Sequence, residues 1–439
     1  MKALRVGLLG IGTVGAGTFE VLARNQSEIT RRLGREILIT KVADLNVARA
    51  QEIVKGRAEV VSDAKLVITD PNIDVVIELI GGYGIAKTMV LEAIANGKHV
   101  VTANKALLAV HGNEIFTAAA AKGVIVAFEA AVAGGIPIIK AIREGLTANR
   151  IEWLAGIING TTNFILSEMR DKGSSFADVL KEAQGLGYAE ADPTFDIEGI
   201  DAAHKATILA SLAFGVPLSF EQAYIEGITK LDSEDIKYAE QLGYRIKLLG
   251  IARRRPNGIE LRVHPTLIPS KRLIASVEGA MNAIWVKGDA VGHTMYYGKG
   301  AGAEPTASAV VADLVDVARA SANGVAGQAP QVPSLAFQAD AMGELKILPI
   351  DEVESAYYLR IRVADQAGVI ADITRILADA KISIDAVLQR EAADNEQQTD
   401  LILLTHLTTE GQANASIARI QALPTVLGSV IRIRKEELA

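Results

Sequence analysis

LRVGLLGIGTVGAGTFEVL, residues 4–22, reads as a short buried strand, a glycine turn and the opening of a helix. The apolar run Leu4–Leu9 is followed at once by Gly10-Ile11-Gly12-Thr13-Val14-Gly15, and a helical pattern continues to about Leu22. A G-x-G-x-x-G string is weak by itself. In this setting each glycine has a physical reason: Gly10 permits the tight turn, Gly12 lets the backbone approach a pyrophosphate, and Gly15 lets helix and strand pack closely. The helix start, with Thr13 and Val14, offers free N–H groups and the positive end of its dipole to phosphates. Ile37–Ala43 is a second buried strand ending at Asp44, somewhat beyond the usual spacing of about 20 residues. The intervening helix and the polar Arg31–Arg35 loop lengthen it. An acid there hydrogen-bonds a ribose 2′-hydroxyl and repels a 2′-phosphate. A glycine turn that only packs is the alternative.

Strands and helices go on alternating outward from this point. Asp74–Ile80, His99–Thr102 and Val124–Phe128 read as strands, Val90–Asn96 and Leu107–Lys122 as helices, which implies a parallel sheet with right-handed crossovers. After Glu129 the pattern changes. Gly134-Gly135-Ile136-Pro137 starts a helix, Ile151–Asn159 is a strand, and helices are expected over Phe164–Lys172, Phe176–Gly185 and Asp201–Ala213. Glu260–Ile268 and Ala283–Val291 read as antiparallel strands of a second sheet. Gly300-Ala301-Gly302 leads to Pro305 at the first turn of a long helix to about Ala322, which returns to the first domain. Gly302 is a candidate second phosphate or nicotinamide contact, with a purely structural turn as the equal alternative. Residues 324–350 hold Pro330, Pro333, Gly343 and Pro349 with weak periodicity and read as a linker. The last 85 or so residues then run βαββαβ, from Tyr357–Val363 to Gly428–Arg434. The expected division is 1–130 plus 305–325, 131–304, a linker at 326–350, and 351–439.

Composition bounds the rest. A chain of 439 residues, 49% hydrophobic and 22% charged, fits two or three soluble globular domains. No apolar run of about 18 residues suggests a membrane span, and the ends of Leu4–Leu9 do not suit a signal peptide. The chain has no cysteine, which excludes disulfides and thiolate metal sites and suits a reducing cytoplasm. A net charge of −7 argues against nonspecific nucleic-acid binding. No histidine pair has zinc spacing and the acidic segment lacks the spacing of a calcium loop, so no catalytic divalent metal is expected.

That acidic segment, AQGLGYAEADPTFDIEGIDAAHK at 183–205, crowds Glu190, Asp192, Asp196, Glu198 and Asp201 ahead of Lys205. Asp201 and Lys205 lie four apart and share a helix face, acid before base. Such a loop suits a small cation-bearing substrate with an amine placed beside it. A solvated acidic loop ended by an ordinary surface ion pair is the alternative.

With these pieces in place, the chain resembles the homoserine dehydrogenases that carry a C-terminal ACT domain. The resemblance spans essentially all of it and rests on GLLGIGTVG at 7–15, VTANKALLA at 101–109, FEAAVAGGIPII at 128–139, GIINGTTNFIL at 156–166, the 183–205 segment and GKGAGAEPTASAV at 298–310. It implies an α/β protein: a Rossmann-type dinucleotide-binding domain, an α+β catalytic and dimerisation domain, and a C-terminal ferredoxin-like ACT domain. With no aspartate-kinase module in the sequence, the resemblance is to the monofunctional form. The implied reaction interconverts L-homoserine and L-aspartate 4-semialdehyde with NAD or NADP. By the same resemblance, Glu190, Asp201 and Asp196 hold substrate with Thr161 and Gly160; Lys205 is the acid/base; Lys105 sits between nicotinamide and substrate oxygen; Gly187 lies at the cofactor. Glu129 and the carbonyls of Val132, Gly134 and Ile136 resemble a loop for a monovalent cation, sodium or potassium, with a purely structural turn as the alternative. Many members carry arginine where this chain has Ala43, which tilts the expectation towards NAD, with Lys41 and Arg49 as compensators for a 2′-phosphate.

YYLRIRVADQAGVIADITRIL at 357–377 resembles an ACT domain with Asp365, Gly368 and Val369 at its first turn. The resemblance implies L-threonine as effector there, and a homo-oligomer; a domain that only aids oligomerisation is the alternative. Two other readings compete: a dehydrogenase of another small hydroxy or amino acid, and a non-catalytic amino-acid sensor.

Overall fold

The structure, a computed structural model, describes residues 2–323, 332–343, 345–389 and 397–439. Six strands form the first sheet: β1 (Leu4–Leu9), β2 (Ile37–Ala43), β3 (Glu59–Val61), β4 (Val75–Glu78), β5 (His99–Thr102) and β6 (Val126–Ala127). Their order is β3-β2-β1-β4-β5-β6, every pair parallel. This is the doubly wound dinucleotide-binding arrangement, whose strand order reverses beside β1 and opens a crevice at the strands' C-terminal ends. β1, β4 and β5 are short and almost wholly buried because helices cover both faces. Helix Ala303–Asn323 returns to pack on helix Thr13–Arg24, so closely that a Cβ on Gly17 would lie 2.7 Å from the Ala303 carbonyl oxygen.

The second sheet is larger than its sequence suggests. It comprises β7 (Ile151–Ile157), β8 (Tyr224–Ile225), β9 (Tyr244–Arg255), β10 (Gly258–Pro269), β11 (Met281–Gly288), β12 (Gly292–Lys299), β13 (Glu354–Ala364), β14 (Ile384–Gln389), β15 (Gln398–Thr405), β16 (Thr408–Thr409) and β17 (Ile431–Lys435). The path runs β12-β11-β7-β9-β10-β17-β13-β15-β14. Two expectations change here. The strand expected over Ala283–Val291 ends at Gly288, because a turn at 289–291 reverses the chain into β12. The helix expected after Gly134 is only Ile138–Lys140 running into a π-helical turn, Ala141–Gly145. Against the sheet lies helix Ile200–Phe214, buried from Asp201 to Phe214. A helix buried all round shows no amphipathic stripe.

The C-terminal βαββαβ unit has strand order β17-β13-β15-β14, with helices Val369–Asp379 and Glu410–Gln421 enclosing its own core. Its sheet is continuous with that of the middle region, because β17 pairs in parallel with β10 at Thr266–Arg434 and Leu267–Lys435. Of the segment expected as a linker, 326–331 and 344 lie outside the described residues. In the remainder, Leu335 and Leu348 are buried and Ile347 bridges to Ile259.

Candidate active site

The glycine turn has the geometry a dinucleotide needs. Gly10 adopts φ of +87°, and a Cβ on it would lie 2.7 Å from the Leu79 carbonyl oxygen. A Cβ on Gly15 would lie 2.3 Å from the Gly10 carbonyl oxygen, whereas nothing comes within 4 Å of one on Gly12. Gly10 and Gly15 are therefore set by packing, and Gly12 faces open space. Gly12 also caps helix Thr13–Arg24 without a side-chain bond, so its first N–H groups remain free for an anion. Asp44 accepts from the backbone N–H of Ile11 and of Asn46, each at 2.8 Å. Beside it opens a cleft of about 480 Å³ lined by Gly10, Gly12, Asp44, Asp63 and Lys65 among others. Lys41 is turned away, bound to Asp70 at 2.7 Å and Glu59 at 3.3 Å, so it does not serve as the compensating cation.

The far side of the crevice holds an ion cluster. Asp201, one residue into helix Ile200–Phe214, takes the Lys205 ammonium on Oδ2 and the Lys105 ammonium on Oδ1, both at 2.7 Å. Lys105 opens helix Lys105–Lys122 just after β5, so one carboxylate joins the nucleotide-binding and middle domains. Lys205 Nζ also donates to the Ile158 carbonyl at 2.7 Å. Burial alone would raise the Asp201 carboxyl, but the two ammonium groups hold it well below the usual carboxylate range. Burial pushes the Lys205 ammonium down, helped by repulsion from Lys105 and opposed by Asp201. Burial also works against the Lys105 charge, but Asp201, Asp196 and Glu190 outweigh it and raise that lysine. The two lysines are thus split, one favouring proton release and the other holding its charge. Asp196 is raised by burial and by its neighbour Asp201.

Asn159 holds these acids together and carried no role in the sequence reading. Its amide nitrogen donates to Asp196 Oδ1 at 2.6 Å and Asp201 Oδ2 at 2.8 Å, while its oxygen accepts from Thr162 N–H and caps helix Gly160–Lys172. An Asn immediately before Gly160 and a helical run was the available signal. Glu78 was also missed. Fully buried at the end of β4, it accepts from Ile80 and Gly81 N–H and from the Thr102 hydroxyl. Asn104 in turn bonds Thr102 and the Gly82 carbonyl, which fixes the start of the Lys105 helix against the β4 turn.

The remaining expected residues divide. Thr161 donates to the Tyr188 carbonyl at 2.7 Å and so ties the acidic loop to the helix start. Gly160 is tightly packed, with a Cβ there falling 2.7 Å from the Ala280 carbonyl oxygen. Glu190 is exposed, its charge felt by Lys105, and Gly187 and Gly302 are exposed with φ of +76° and +120°. Glu129 is buried, and its two oxygens accept from Ile139 and Lys140 N–H at 2.8 Å each. Beyond it Ala133 and Gly134 both have positive φ, 56° and 49°, and Gly134 packs on the Gly300 carbonyl. Asp365 and Gly368 are exposed at the first turn of the C-terminal unit, with Val369 buried.

A doubly wound sheet with a glycine turn after its first strand, and a lysine–aspartate–lysine cluster anchored at the helix that follows β5, is the layout of a nicotinamide-dependent dehydrogenase of small polar substrates. Comparison with known families agrees. Residues 10–129 match the family described as homoserine dehydrogenase, NAD binding domain, residues 137–315 match homoserine dehydrogenase, and residues 357–425 match the ACT domain. A homoserine dehydrogenase of Pseudomonas aeruginosa is 61% identical over the whole of both chains. The crystal structure of a homoserine dehydrogenase from Thiobacillus denitrificans superposes with a TM-score of 0.95 at 65% identity, covering 100% of this chain and 99% of that one. A hyperthermophilic archaeal homoserine dehydrogenase in complex with NADPH covers 74% of this chain and 100% of its own, with a TM-score of 0.62 at 25% identity. The chain belongs to the homoserine dehydrogenase family. It is an oxidoreductase that interconverts L-homoserine and L-aspartate 4-semialdehyde using a nicotinamide cofactor, in amino-acid biosynthesis.

Proposed function

We propose that the Lys105–Asp201–Lys205 cluster is the reacting centre. The observation that carries this is the single buried carboxylate bound at 2.7 Å to an ammonium from each domain. Lys205 spends two of its three N–H bonds on Asp201 and Ile158, leaving the third for the substrate oxygen. In the oxidising direction the neutral amine takes the hydroxyl proton of homoserine; in the reducing direction the ammonium returns it to the aldehyde oxygen. The lowered Lys205 suits this exchange, while Lys105 stays charged and stabilises the developing negative oxygen. Asp196 and Glu190 meet the substrate ammonium, and the helix start at Gly160 and Thr161 meets its carboxylate.

The cofactor fits the turn at Gly10–Gly15, where its pyrophosphate would lie against Gly12, Thr13 and Val14, with Gly187, Gly302 and Lys105 toward the nicotinamide end. When bound, the nicotinamide accepts or returns the hydride. Asp44 and Asp63 together favour the ribose hydroxyls of NAD over a 2′-phosphate, against Lys65 alone. A monovalent cation, sodium or potassium, fits the positive-φ turn at 133–134, held by Glu129 and the carbonyls of Val132, Gly134 and Ile136. L-Threonine is the proposed effector of the exposed turn Asp365–Val369. Edge strand β14 with Val387 half exposed supports self-association, which a sedimentation mass of twice the monomer or more would check.

Initial rates of homoserine oxidation by the wild type and Asp201→Asn, each run with NAD and with NADP, test both halves of this reading. The expected wild-type kcat/KM favours NAD by at least about tenfold, and Asp201→Asn loses about a hundredfold or more in kcat with KM for the cofactor kept. A preference for NADP would overturn the cofactor half, and an undiminished kcat in the variant the cluster.

A further inference from the structure

Strand β11 alternates between two apolar layers. Ala283 and Trp285 enter one, while Ile284 and Val286 enter the other, together with Ala202, Ala203 and Ala206 of the helix that carries Asp201 and Lys205. Asn282 falls on that second face. Its neighbour Ala283 pairs with Ile157 of β7, one residue before the Ile158 carbonyl that accepts Lys205. The Asn282 side chain is 1% exposed, and neither its amide nitrogen nor its amide oxygen has a hydrogen-bond partner. A buried amide left unpaired is unfavourable, and an apolar side chain of similar shape suits such a place better. Packing alone therefore gives no reason for Asn at 282.

The amide lies against the turn that leads from β12 into helix Ala303–Asn323. A Cβ on Gly300 would fall 2.0 Å from Asn282 Nδ2 and 2.5 Å from Oδ1, so glycine at 300 is what lets the turn settle onto the amide. The same turn is held by the loop after Glu129: a Cβ on Gly134 would lie 2.5 Å from the Gly300 carbonyl oxygen, and Gly135 N–H donates to the Lys299 carbonyl at 3.0 Å. Just beyond it, Ala303 meets Gly17 of the nucleotide-binding domain. Among the described residues the N–H groups of Gly300, Ala301 and Gly302 donate to no backbone carbonyl. An unpaired amide and unpaired backbone donors thus meet at the turn that ends in Gly302.

We propose that Asn282 is a positioning residue for the nicotinamide end of the cofactor: its amide hydrogen-bonds the backbone of Gly300–Gly302 when that turn meets the nicotinamide, and stays unpaired otherwise. The amide offers an acceptor for one of the turn's N–H groups and two donors for its carbonyls. A hydrogen bond made only in the loaded enzyme tightens binding without stabilising the free protein, because a ligand fixes one arrangement of an element only through contacts that differ between arrangements. The inference deepens the reading of Gly302 as a nicotinamide contact and rests on it.

Calorimetric titration of the full-length wild type, Asn282→Leu and Asn282→Ala with NADH and with ADP-ribose, which lacks the nicotinamide, tests it; NADPH and 2′-phospho-ADP-ribose form a parallel pair. The wild type is expected to bind the dinucleotide more tightly than its fragment. Asn282→Leu then weakens the dinucleotide about tenfold, leaves the fragment within about twofold, and in the cofactor-free state melts no lower than the wild type. Asn282→Ala shows the same split in Kd, so the comparison survives if Leu crowds the turn. A dinucleotide Kd within about twofold of wild type in both variants, or equal weakening of dinucleotide and fragment, overturns the inference and leaves the reading of Gly302 standing. A cofactor-free Tm lowered by more than about 5 °C in both variants makes Asn282 an ordinary packing residue and overturns it too. Equal binding of dinucleotide and fragment by the wild type removes the nicotinamide from Gly302, and the inference falls with that reading.

Discussion

Asn159 donates one amide nitrogen to two carboxylates, Asp196 and Asp201, that would otherwise repel across a buried site. Removing a buried hydrogen-bond partner costs about 1–3 kcal/mol, here as displaced acids. Asn159→Ala is therefore expected to lower kcat about 10- to 100-fold with KM for the cofactor nearly unchanged, read from steady-state rates; an unaltered kcat would show that the acids hold their places unaided. The acids and Lys205 stood out as candidates because Asp201 and Lys205 sit at helical spacing and the 183–205 segment is chemically dense, whereas Lys105 after Asn104 reads by itself as an exposed loop lysine and gained a role only through the family resemblance. Asn159 and Glu78 were not, because each acts through backbone turns that only the fold brings together. The joining of Lys105 to Asp201 spans 96 positions of sequence, and no local pattern encodes it.

The element that best shows its chemistry is the turn from Glu129 into the short helix Ile138–Lys140. Burial raises the Glu129 carboxyl to about 7 despite two backbone N–H donors. Its folded value lies above the ordinary 4.5, so its contribution to stability is present at low pH and is lost as pH rises through about 7. A cation bound beside it favours the carboxylate and reverses that loss. Melting curves in potassium or sodium chloride against choline chloride at equal ionic strength should then differ more at pH 8 than at pH 6, with the metal salt giving the higher Tm. Equal melting at pH 8 in all three salts would contradict the cation site. Among elements, β1, β2 and β5 followed their apolar runs closely. β9, β12 and helix Ser233–Gln241 were not anticipated. β12 alternates only between half-buried and exposed positions, and β9 is buried along most of its length, so neither shows a clean period of two.

On the scale of the whole molecule, the C-terminal unit is built into the enzyme. Arg262 of β10 is fully buried and paired with Glu260 and with Glu436 after β17, and Asp235 of the middle domain binds Arg360 at 2.7 Å and the Tyr358 hydroxyl at 3.0 Å. Stripping one side of such a buried pair costs about 3–5 kcal/mol. Deleting residues 351–439 is thus expected to give a chain that aggregates or melts at least about 10 °C lower; a truncated enzyme with unchanged Tm would show the two parts to be independent. The βαββαβ order of that unit was readable from its alternating strands, but its fusion to the middle sheet was not, since β17 pairs with β10 across 168 positions at Thr266–Arg434. The whole arrangement converges on Lys205, the amine proposed to carry the proton. Single-turnover and steady-state oxidation of homoserine by Lys205→Ala, alongside the cofactor Kd, measures this most directly. The expected result is a fall in kcat of about a hundred- to ten-thousandfold with cofactor binding within about threefold of wild type. A variant that turns over at the wild-type rate would contradict it.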